Sequence, residues 1–231
     1  MPSTGNATER RVFTPNCAPR ATPSTASGSR GSCASTASGR GYRGAIRLTT
    51  DSKHSLPVAP NLLNQNFVAD RPDRVWLADI TYIPTAEGWV YLAVLLDLCT
   101  RKVVGWAMRD HMRAELTIAA PTMAIQRRRP RGGLVHHADR GSQYAAGDYR
   151  AILQAAAITQ SMSRKGNCWD NAPMESFFGT LKTELVHQRE YPDRDAARRD
   201  LFAYIEGYYN RQRRHSAIGY ITPEQAQAKA A

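Results

Sequence analysis

Three carboxylates in this sequence have the residue types and spacing that phosphodiester chemistry requires. Asp79 lies inside the strand-like apolar run RVWLADITYI, Asp139 follows a second apolar run, and Glu175 falls in the first turn of a predicted helix. Thirty-five residues separate Asp139 from Glu175. Carboxylates are preferred ligands of Mg²⁺, and two such ions about 3.5–4 Å apart can activate a nucleophile and neutralise a leaving oxygen. The three acids therefore predict metal-dependent chemistry on DNA, provided that the fold brings them together.

Each acid also has a simpler explanation. An Asp at the end of a strand is most often part of a turn, and a Glu in the first turn of a helix is favoured by the helix dipole. Asp79 does not fit this explanation well, because an unpaired charge inside an apolar run is costly to bury. Asp97 and Asp170 are interpreted as structural residues, one in a turn and one in a helix cap.

The composition indicates a globular domain with a polyanionic partner. The chain has 231 residues, 42% of them hydrophobic, with a formal net charge of +11 and a pI near 9.9. A charge of this size favours nucleic acid over a membrane surface. No apolar run reaches the roughly eighteen residues of a membrane span and no signal peptide is recognisable, so we expect a cytoplasmic protein. The cysteines lack a C-x-x-C pair, which favours free thiols over a zinc site or a disulfide framework.

Changes in composition divide the chain into four regions. Residues 1–44 are rich in Ser, Thr, Ala, Gly, Pro and Arg, cannot bury much apolar surface, and are predicted to be disordered. One hypothesis is that they are the out-of-frame remnant of a helix-turn-helix region; stop codons in the shifted frame of the gene would contradict it. Residues 45–71, with prolines in the middle, predict an extended linker. Residues 72–190 are assigned to the catalytic core and residues 191–231 to a C-terminal helical extension of it.

The hydrophobic patterns predict strands and helices that alternate in the second half of the core. Apolar runs predict five strands, at Arg74–Pro84, Trp89–Leu98, Lys102–Met108, Leu134–Ala138 and Ile158–Met162. Helical spacing predicts helices at Ala114–Arg129, Ala145–Ala157, from about Asp170–Asn171 onward, at Asp195–Tyr209, and a short last helix capped by Thr222. Hairpin spacing of the first three strands favours an antiparallel meander. Pro121 predicts a kink in the first helix or a later start.

Five motifs, in order along the chain, carry a resemblance to a known family. They are WLADITYI around Asp79, LDLCTRKVVGW, HHADRGSQY around Asp139, GNCWDNAPMESFFGTLK around Glu175, and YNRQRRHSAIGY. With them the chain resembles the integrase-core transposases of bacterial insertion sequences, in the group whose second reading frame encodes a retroviral-integrase-like core. The resemblance covers about residues 51–225 and includes the family's spacing between the last two acids.

The resemblance implies an α/β, ribonuclease-H-like fold with a mixed five-stranded sheet flanked by helices. Asp79, Asp139 and Glu175 would be the catalytic and metal-binding acids, with Mg²⁺ or Mn²⁺ as cofactor. The implied chemistry is hydrolysis at the element's end, which frees a 3′-hydroxyl, and attack of that hydroxyl on another phosphodiester. The implied partners are DNA at the element ends and target, further copies of the chain in a synaptic complex, and the product of an upstream reading frame. The implied location is the bacterial cytoplasm, in association with the nucleoid.

The sequence departs from the family pattern in three places. Ala138 stands where serine is commoner before the aspartate, and Pro121 interrupts a helix that the family keeps free of proline. The helix-turn-helix expected upstream of the core is replaced by the Ser/Gly/Arg-rich segment. The last departure is the reason to consider an alternative function, a catalytically incomplete DNA-binding remnant that inhibits an intact transposase. A stand-alone nuclease of the same fold is a third interpretation.

Several basic residues are predicted to contact DNA. The resemblance assigns Lys182, seven residues after Glu175, to the terminal DNA. Arg140 lies in a predicted loop that is also consistent with an ordinary turn, and Arg164 and Lys165 lie on a loop before the Glu175 helix. Two arginine clusters have two possible interpretations, as solvated surface or as phosphate contacts. They are Arg127, Arg128, Arg129 and Arg131, and Arg211, Arg213 and Arg214.

Two histidines precede Asp139 directly. His136 and His137 lie on a predicted strand, so only one of their side chains can point toward the acids. For either one, a packed or hydrogen-bonded role is favoured over metal binding.

Overall fold

The computed structural model describes residues 54–230, whose core is one mixed sheet with helices on both faces. The strands are β1 (Val75–Thr85), β2 (Gly88–Asp97), β3 (Val103–Arg109), β4 (Val135–Ala138) and β5 (Thr159–Met162), in the order β3-β2-β1-β4-β5. The first three strands pair antiparallel, whereas β4 pairs parallel with both β1 and β5. The five predicted strands, the meander and the mixed sheet are therefore confirmed.

Six α-helices occur in the described part of the chain. They are α1 (Ala114–Arg128), α2 (Ser142–Ala145), α3 (Gly147–Ala155), α4 (Ala172–Glu184), α5 (Arg194–Phe202) and α6 (Pro223–Lys229). The helix predicted over Ala145–Ala157 is confirmed as α3, which is two residues shorter at each end; Ala146, with φ −59° and ψ 144°, is extended and separates α3 from α2, which was not predicted. The predicted cap of the last helix is confirmed, since Thr222 and Gln225 form a capping box.

The helix predicted over Asp195–Tyr209 changes its hydrogen-bond spacing part-way. Helix α5 is followed without a break by a π-helix over Ala203–Tyr209. The wider spacing is visible at the end of this segment, where Asn210 N–H donates to Ile205 C=O at 3.2 Å, five residues back. A hydrophobic pattern cannot distinguish the two spacings over so short a segment.

Helix α1 runs through Pro121 without the late start that this residue predicted. Proline in a helix interior costs about 3 kcal/mol, because it removes a backbone hydrogen bond and crowds the preceding turn. The buried face of α1 offsets this cost by packing closely on β3. A Cβ at Gly105 of β3 would lie only 2.3 Å from the carbonyl oxygen of Ala120, so glycine allows the helix and the strand to touch.

The two faces of β1 belong to two different hydrophobic clusters. Leu77 and Ile83 pack in the cluster that includes residues of α4 and α5. Trp76, Ala78 and Ile80 pack in the cluster that includes residues of α1 and α3. Since side chains alternate along a strand, odd-numbered positions of β1 face α4.

The described part of the predicted linker, residues 54–71, contains no helix or strand. It nevertheless contacts the core: Leu62 N–H donates to Ser161 Oγ at 2.9 Å, and Asn61 Nδ2 donates to Asp170 Oδ2 at 2.9 Å. The predicted disorder of residues 1–44 and the start of the linker lie outside the described residues, and the four-region division stays a prediction. No helix within 54–230 is long and apolar enough to cross a membrane.

Candidate active site

Parallel pairing of β1 with β4 places the first two acids side by side. The register ends with Ala78 opposite Ala138, so Asp79 and Asp139 occupy the next position on each chain. Neighbouring strands lie about 4.8 Å apart, and residues in register point to the same face. Asp79 and Asp139 are therefore neighbours at the carboxyl end of β4.

Helix α4 brings the third acid to the same face of the sheet. Asp79 has an odd position on β1 and so faces α4, whose first turn carries Glu175. Asn171, the residue before α4, donates from its side-chain amide to Ala78 C=O at 3.2 Å. This bond holds the start of the helix against the strand, one residue from Asp79. The capping role predicted for Asp170 and Asn171 is wrong. The Asn171 side chain makes no capping hydrogen bond, and its amide donates to the strand residue Ala78 instead.

The negative charges of the site act on one another. Burial raises the pKa of Asp79 well above its usual value, and the carboxylates of Asp139 and Glu175 raise it further. The Ile80 N–H, which donates to Asp79 Oδ1 at 2.7 Å, and the charge of Lys182 lower this pKa without offsetting the rise. Asp79 therefore favours its neutral form until a cation compensates the excess of negative charge.

The three carboxylates do not converge on one point in this arrangement. Glu175 is exposed, whereas Asp79 and Asp139 are half-buried. Within residues 54–230, no three His, Cys, Asp or Glu side chains form a group that could hold a metal ion. Catalytic contacts are often longer before substrate binds and shorten in the reacting complex. The strand register and the helix position fix which acids are neighbours, and side-chain rotation decides how close their oxygens come.

Asp170 is the centre of a buried network that positions the start of α4. Its carboxylate accepts Arg164 Nη2 at 2.7 Å and Nε at 3.0 Å, and the backbone N–H of Arg164 at 2.8 Å. It also accepts the side-chain amides of Asn61 and Gln65 at 2.9 and 3.1 Å. The hydrogen bonds from Arg164 hold the pKa of Asp170 well below its usual range. Asp170 is therefore structural, as predicted, but it joins three chain segments instead of capping a helix.

The two histidines lie on opposite faces of β4 and both serve packing. His137 faces the acids, where its Nε2 donates to the carbonyl of Asp170 at 3.0 Å and its Nδ1 accepts from Ser161 Oγ at 2.8 Å. His136 faces α3 and pairs with the Tyr149 hydroxyl at 2.8 Å. Burial lowers the pKa of both, that of His136 to about 3, so both are neutral. The structure thus agrees with the prediction that they are hydrogen-bonded core residues.

The DNA-contact residues predicted around the acids differ in their exposure and in whether an acid already binds them. Lys182 is half-buried, with its Nζ 5.3 Å from the centroid of the Tyr82 ring, and its charge reaches Asp79. Arg140 directly follows Asp139 and is half-buried, while Lys165 is exposed. Arg164 is half-exposed, but both ends of its guanidinium are bound to Asp170.

The C-terminal arginines are largely committed to ion pairs. Arg213 binds Glu184 at 2.9 Å, which attaches the basic turn to the end of α4. Arg211 lies 3.5 Å from Glu224, and Arg214 is exposed. These three residues therefore form a surface that is partly neutralised by its own acids.

One candidate contact residue was missed from the sequence. Trp169 is 68% exposed on a 3₁₀ turn (Cys168–Asn171) that precedes α4. Its backbone is fixed, because Asn167 Oδ1 accepts the Trp169 N–H at 3.1 Å and the neighbouring Asp170 is anchored. A large aromatic side chain among polar residues and a glycine was the signal that could have identified it.

Comparison with known proteins agrees with this geometry. Two family models, both described as integrase core domain, match residues 69–168 and 156–223. The chain belongs to the integrase-core family. Two curated relatives from insertion sequences confirm the resemblance to integrase-core transposases of such elements. The chain is 54% identical over 178 residues to an uncharacterised 31 kDa protein of insertion element IS600 from Shigella sonnei. It is 48% identical over 176 residues to the transposase InsF of insertion sequence IS3A from Escherichia coli.

These alignments cover 77% and 76% of this integrase-core chain, but 65% and 61% of the two relatives. The chain thus spans less than two thirds of the length of the curated relatives it matches.

Solved structures of integrases have the same fold as this chain. A simian T-cell lymphotropic virus intasome chain aligns with TM-score 0.58 and 17% identity over 78% of this chain and 61% of that one. The magnesium-bound HTLV-2 integrase catalytic core, in its trimeric form, aligns with TM-score 0.52 and 17% identity over 69% of this chain and 99% of that one. The ribonuclease-H-like fold is therefore confirmed.

Proposed function

We propose that this chain is the catalytic core of a DNA transposase. It would hydrolyse a phosphodiester at the element's end and join the freed 3′-hydroxyl to another phosphodiester. The observation that carries the proposal is the register of β1 and β4, which makes Asp79 and Asp139 neighbours on the face where α4 presents Glu175. Transposase InsF, at 48% identity, supports the same function.

The donor set fits Mg²⁺ or Mn²⁺. Three carboxylates on one face, with the pKa of Asp79 raised by burial and by its acidic neighbours, form a site that a hard divalent cation would neutralise. The side-chain oxygen of Asn171, next to Ala78, is buried and has no hydrogen-bond partner among the described residues, so it could accept from a cation's water ligands. Asp79, Asp139 and Glu175 would hold the metal. When bound, it would activate the attacking hydroxyl or water and stabilise charge on the leaving oxygen.

The protein's own residues prepare this site in three ways. Asp79 must lose its proton before it can act as a ligand, so its raised pKa couples metal binding to proton release. The network around Asp170 and the bond from Asn171 to Ala78 fix where Glu175 enters. Lys182 places a positive charge beside the acids, where it can bind a phosphate that flanks the reacting one.

DNA contacts are proposed for basic and aromatic residues around the acids. Lys182, Arg140 and Lys165 offer charges close to the site, and Trp169 offers an exposed ring for stacking on a base. Arg164 would contribute mainly by holding Asp170. A more distant surface is proposed for Arg211, Arg213 and Arg214.

The partners and location follow from the same proposal. DNA at the element ends and at the target would be the substrate, and copies of the chain would assemble on it. An upstream reading-frame product, which would supply end recognition, and association with the bacterial nucleoid remain part of the proposal. The inhibitory remnant becomes an outcome of the experiment below.

The test is strand cleavage and strand transfer on labelled duplexes that carry the element's ends, with Mg²⁺ or Mn²⁺. Asp139→Asn should lower both activities by at least about 10²–10³-fold, the usual cost of losing one transition-state stabiliser. Asp148→Asn, an exposed aspartate on α3, is the matched control and should retain activity. DNA binding without cleavage by the unmodified chain, equal in Asp139→Asn, would support the inhibitory remnant instead.

A further inference from the structure

A cavity lined by arginines lies at the opposite end of the β1–β4 pair from the acids. Its volume is about 280 Å³, and its charged lining residues are Arg71, Asp73, Arg74, Arg128, Arg129 and Arg131. We call it the arginine pocket. Its residues come from the segment before β1, the last residue of α1 and the segment between α1 and β4, which the parallel pairing of β1 with β4 brings together. From Val75 at this end to Asp79 is four residues, or about 13 Å along the strand.

The arginine pocket has a large excess of positive charge. Five arginines line it against one aspartate. That aspartate, Asp73, is occupied, because it accepts Arg128 Nη2 at 2.6 Å, Arg128 Nε at 3.0 Å and the Trp76 indole N–H at 3.0 Å. Arg74 lies 4.0 Å from exposed Asp70, a distance at which an ion pair on the surface contributes little.

Three of the guanidinium groups form no ion pair within the part of the chain that the structure describes. Arg71, Arg129 and Arg131 are exposed, and none of the acids within residues 54–230 forms an ion pair with them. The C-terminal end of α1 contributes about half a negative charge here, which the arginines outweigh. A site with three available forks of N–H donors is suited to phosphate oxygens, which guanidinium groups bind in pairs.

The backbone around the arginine pocket is specifically shaped. Gly133 has φ +92°, and a Cβ there would lie 2.8 Å from Nη1 of Arg74, so the absence of a side chain lets this arginine cross over the loop. Arg129 itself has left-handed dihedrals (φ 45°, ψ 58°), which end α1 and turn the chain toward Pro130. Arg128 is held by its two bonds to Asp73. The pocket is thus built on fixed segments at the base of the sheet.

We propose that the arginine pocket binds backbone phosphates of DNA away from the reacting phosphodiester. The proposal rests on the proposed function only in taking DNA as the polyanion. The 13 Å that separates the two ends of the strand pair corresponds to about four nucleotide steps of B-form DNA. The pocket therefore adds affinity and orientation without touching the reacting atoms. The phosphates belong either to the duplex held at the acids or to a second duplex.

The experiment measures DNA affinity as a function of salt for the full chain in EDTA, where no cleavage occurs. The triple variant Arg71→Gln, Arg129→Gln, Arg131→Gln should bind at least about tenfold more weakly at low salt. The slope of log K against log [salt] should become shallower by about 0.9 for each lost phosphate contact. The control variant Arg189→Gln, Arg198→Gln, Arg199→Gln removes the same charge from exposed or half-exposed positions on and before α5, and should change the slope less. The variant with lysine at positions 71, 129 and 131 keeps the charge and should retain most of the salt dependence of DNA binding.

The binding stoichiometry distinguishes the two sources of phosphate. Loss of a second bound duplex in the triple variant would place a separate duplex in the arginine pocket, whereas weaker binding at unchanged stoichiometry would place the same duplex there. Equal effects of the two glutamine triples, at equal thermal stability, would overturn the proposal. If the unmodified chain binds no DNA at all, the proposed function fails and not only the pocket.

Discussion

The two ends of the β1–β4 strand pair carry opposite charge. At the carboxyl end, Asp79 and Asp139 are neighbours on adjacent strands, and burial together with the charge of Asp139 raises the pKa of Asp79. At the amino end, five arginines surround one aspartate. One short parallel pairing thus separates a region suited to metal from a region suited to phosphate.

Asp79, proposed to be catalytic, and Asp97, which is structural, differ in the groups around their carboxylates. Burial raises the pKa of Asp97 near the amino end as well, so a raised pKa alone does not identify a catalytic residue. Asp97, however, accepts the backbone N–H groups of Asp73 and Thr100 and the Thr100 hydroxyl, at 2.7–2.8 Å. The Asp73 carboxylate adds only the smallest contribution to the rise at Asp97, whereas for Asp79 the Asp139 carboxylate is the largest cause after burial and Glu175 adds to it. The identity of the neighbours, and not the size of the shift, separates the two roles.

Among the variants that compare the two ends, Asp170→Asn is expected to have the largest effect, a loss of cleavage rate. Without the charge that binds Arg164, the turn before α4 loses its anchor and Glu175 loses its position. A misplacement of about 1 Å at a reacting group can cost 10²-fold in rate. We therefore expect the cleavage rate per folded molecule to fall about 10²-fold at saturating metal and DNA.

The matched control is Asp97→Asn at the other end of the sheet, because the amide nitrogen of asparagine cannot accept the backbone N–H groups that the two carboxylate oxygens of Asp97 accept. It should lower the free energy of unfolding while the rate per folded molecule stays within a few-fold. If both variants lose activity only in proportion to their loss of folded protein, Asp170 has no positioning role.

A smaller effect is expected from Trp169→Ala. The exposed ring sits on a fixed turn beside the acids, where stacking on an unpaired base would contribute about 1–3 kcal/mol. The affinity for a duplex with an unpaired end should fall by roughly tenfold. Tyr220→Ala, which removes a ring that is 70% exposed elsewhere on the surface, is the control. Equal losses in the two variants would show that Trp169 is an ordinary surface residue.

The strands that position Asp79 and Asp139 could be predicted from the sequence, whereas only one half of the arginine pocket, the cluster around Arg129, was recognisable there. A charge inside an apolar run, such as Asp79, is unusual enough to be recognised locally, and the strands that carry the acids follow from the same apolar runs. The arginine pocket joins residues near position 72 to residues near position 130, and only the pairing of β1 with β4 brings them together. No local pattern contains that information.

The network around Asp170 shows a similar limit. Its partners Asn61 and Gln65 are more than a hundred residues away in sequence, so a cap was the natural local interpretation. The break at Ala146 and the π-helix after α5 were missed because apolar spacing over a few residues is compatible with several backbone paths.

A third prediction disturbs the arginine end alone. Gly133→Ala places a side chain at φ +92°, which costs on the order of 1–3 kcal/mol, and displaces Arg74. The midpoint of thermal unfolding should fall by several degrees, since 1 kcal/mol corresponds to roughly 2–4 °C in a domain of this size. Gly147→Ala, where a Cβ would meet nothing within 4 Å, should be neutral or slightly stabilising. Equal melting temperatures for both variants would contradict the assigned backbone conformation at Gly133.

The smallest effect is expected from Asp79→Asn, whose thermal stability reports on the charge at the acid end. Because the folded state raises the pKa of Asp79, the wild-type protein binds its proton more tightly than the unfolded chain does. Its stability must therefore decline as pH rises above about 4, the ordinary pKa of an aspartate, until the folded-state pKa is passed. Asparagine carries no charge to bury, so the variant should melt about 2–4 °C higher than the wild type at pH 8 and equally at pH 4.

Metal should reverse this order. Addition of Mg²⁺ at pH 8 should raise the melting temperature of the wild type and not that of Asp79→Asn, because a cation that binds only the folded state stabilises it. The exposed Glu175→Gln should show no gain without metal, since little burial is relieved there. A pH-independent difference between wild type and Asp79→Asn would show that the acids do not repel one another in the free protein. The carboxyl end of the strand pair would then lack the charge excess that a metal site requires.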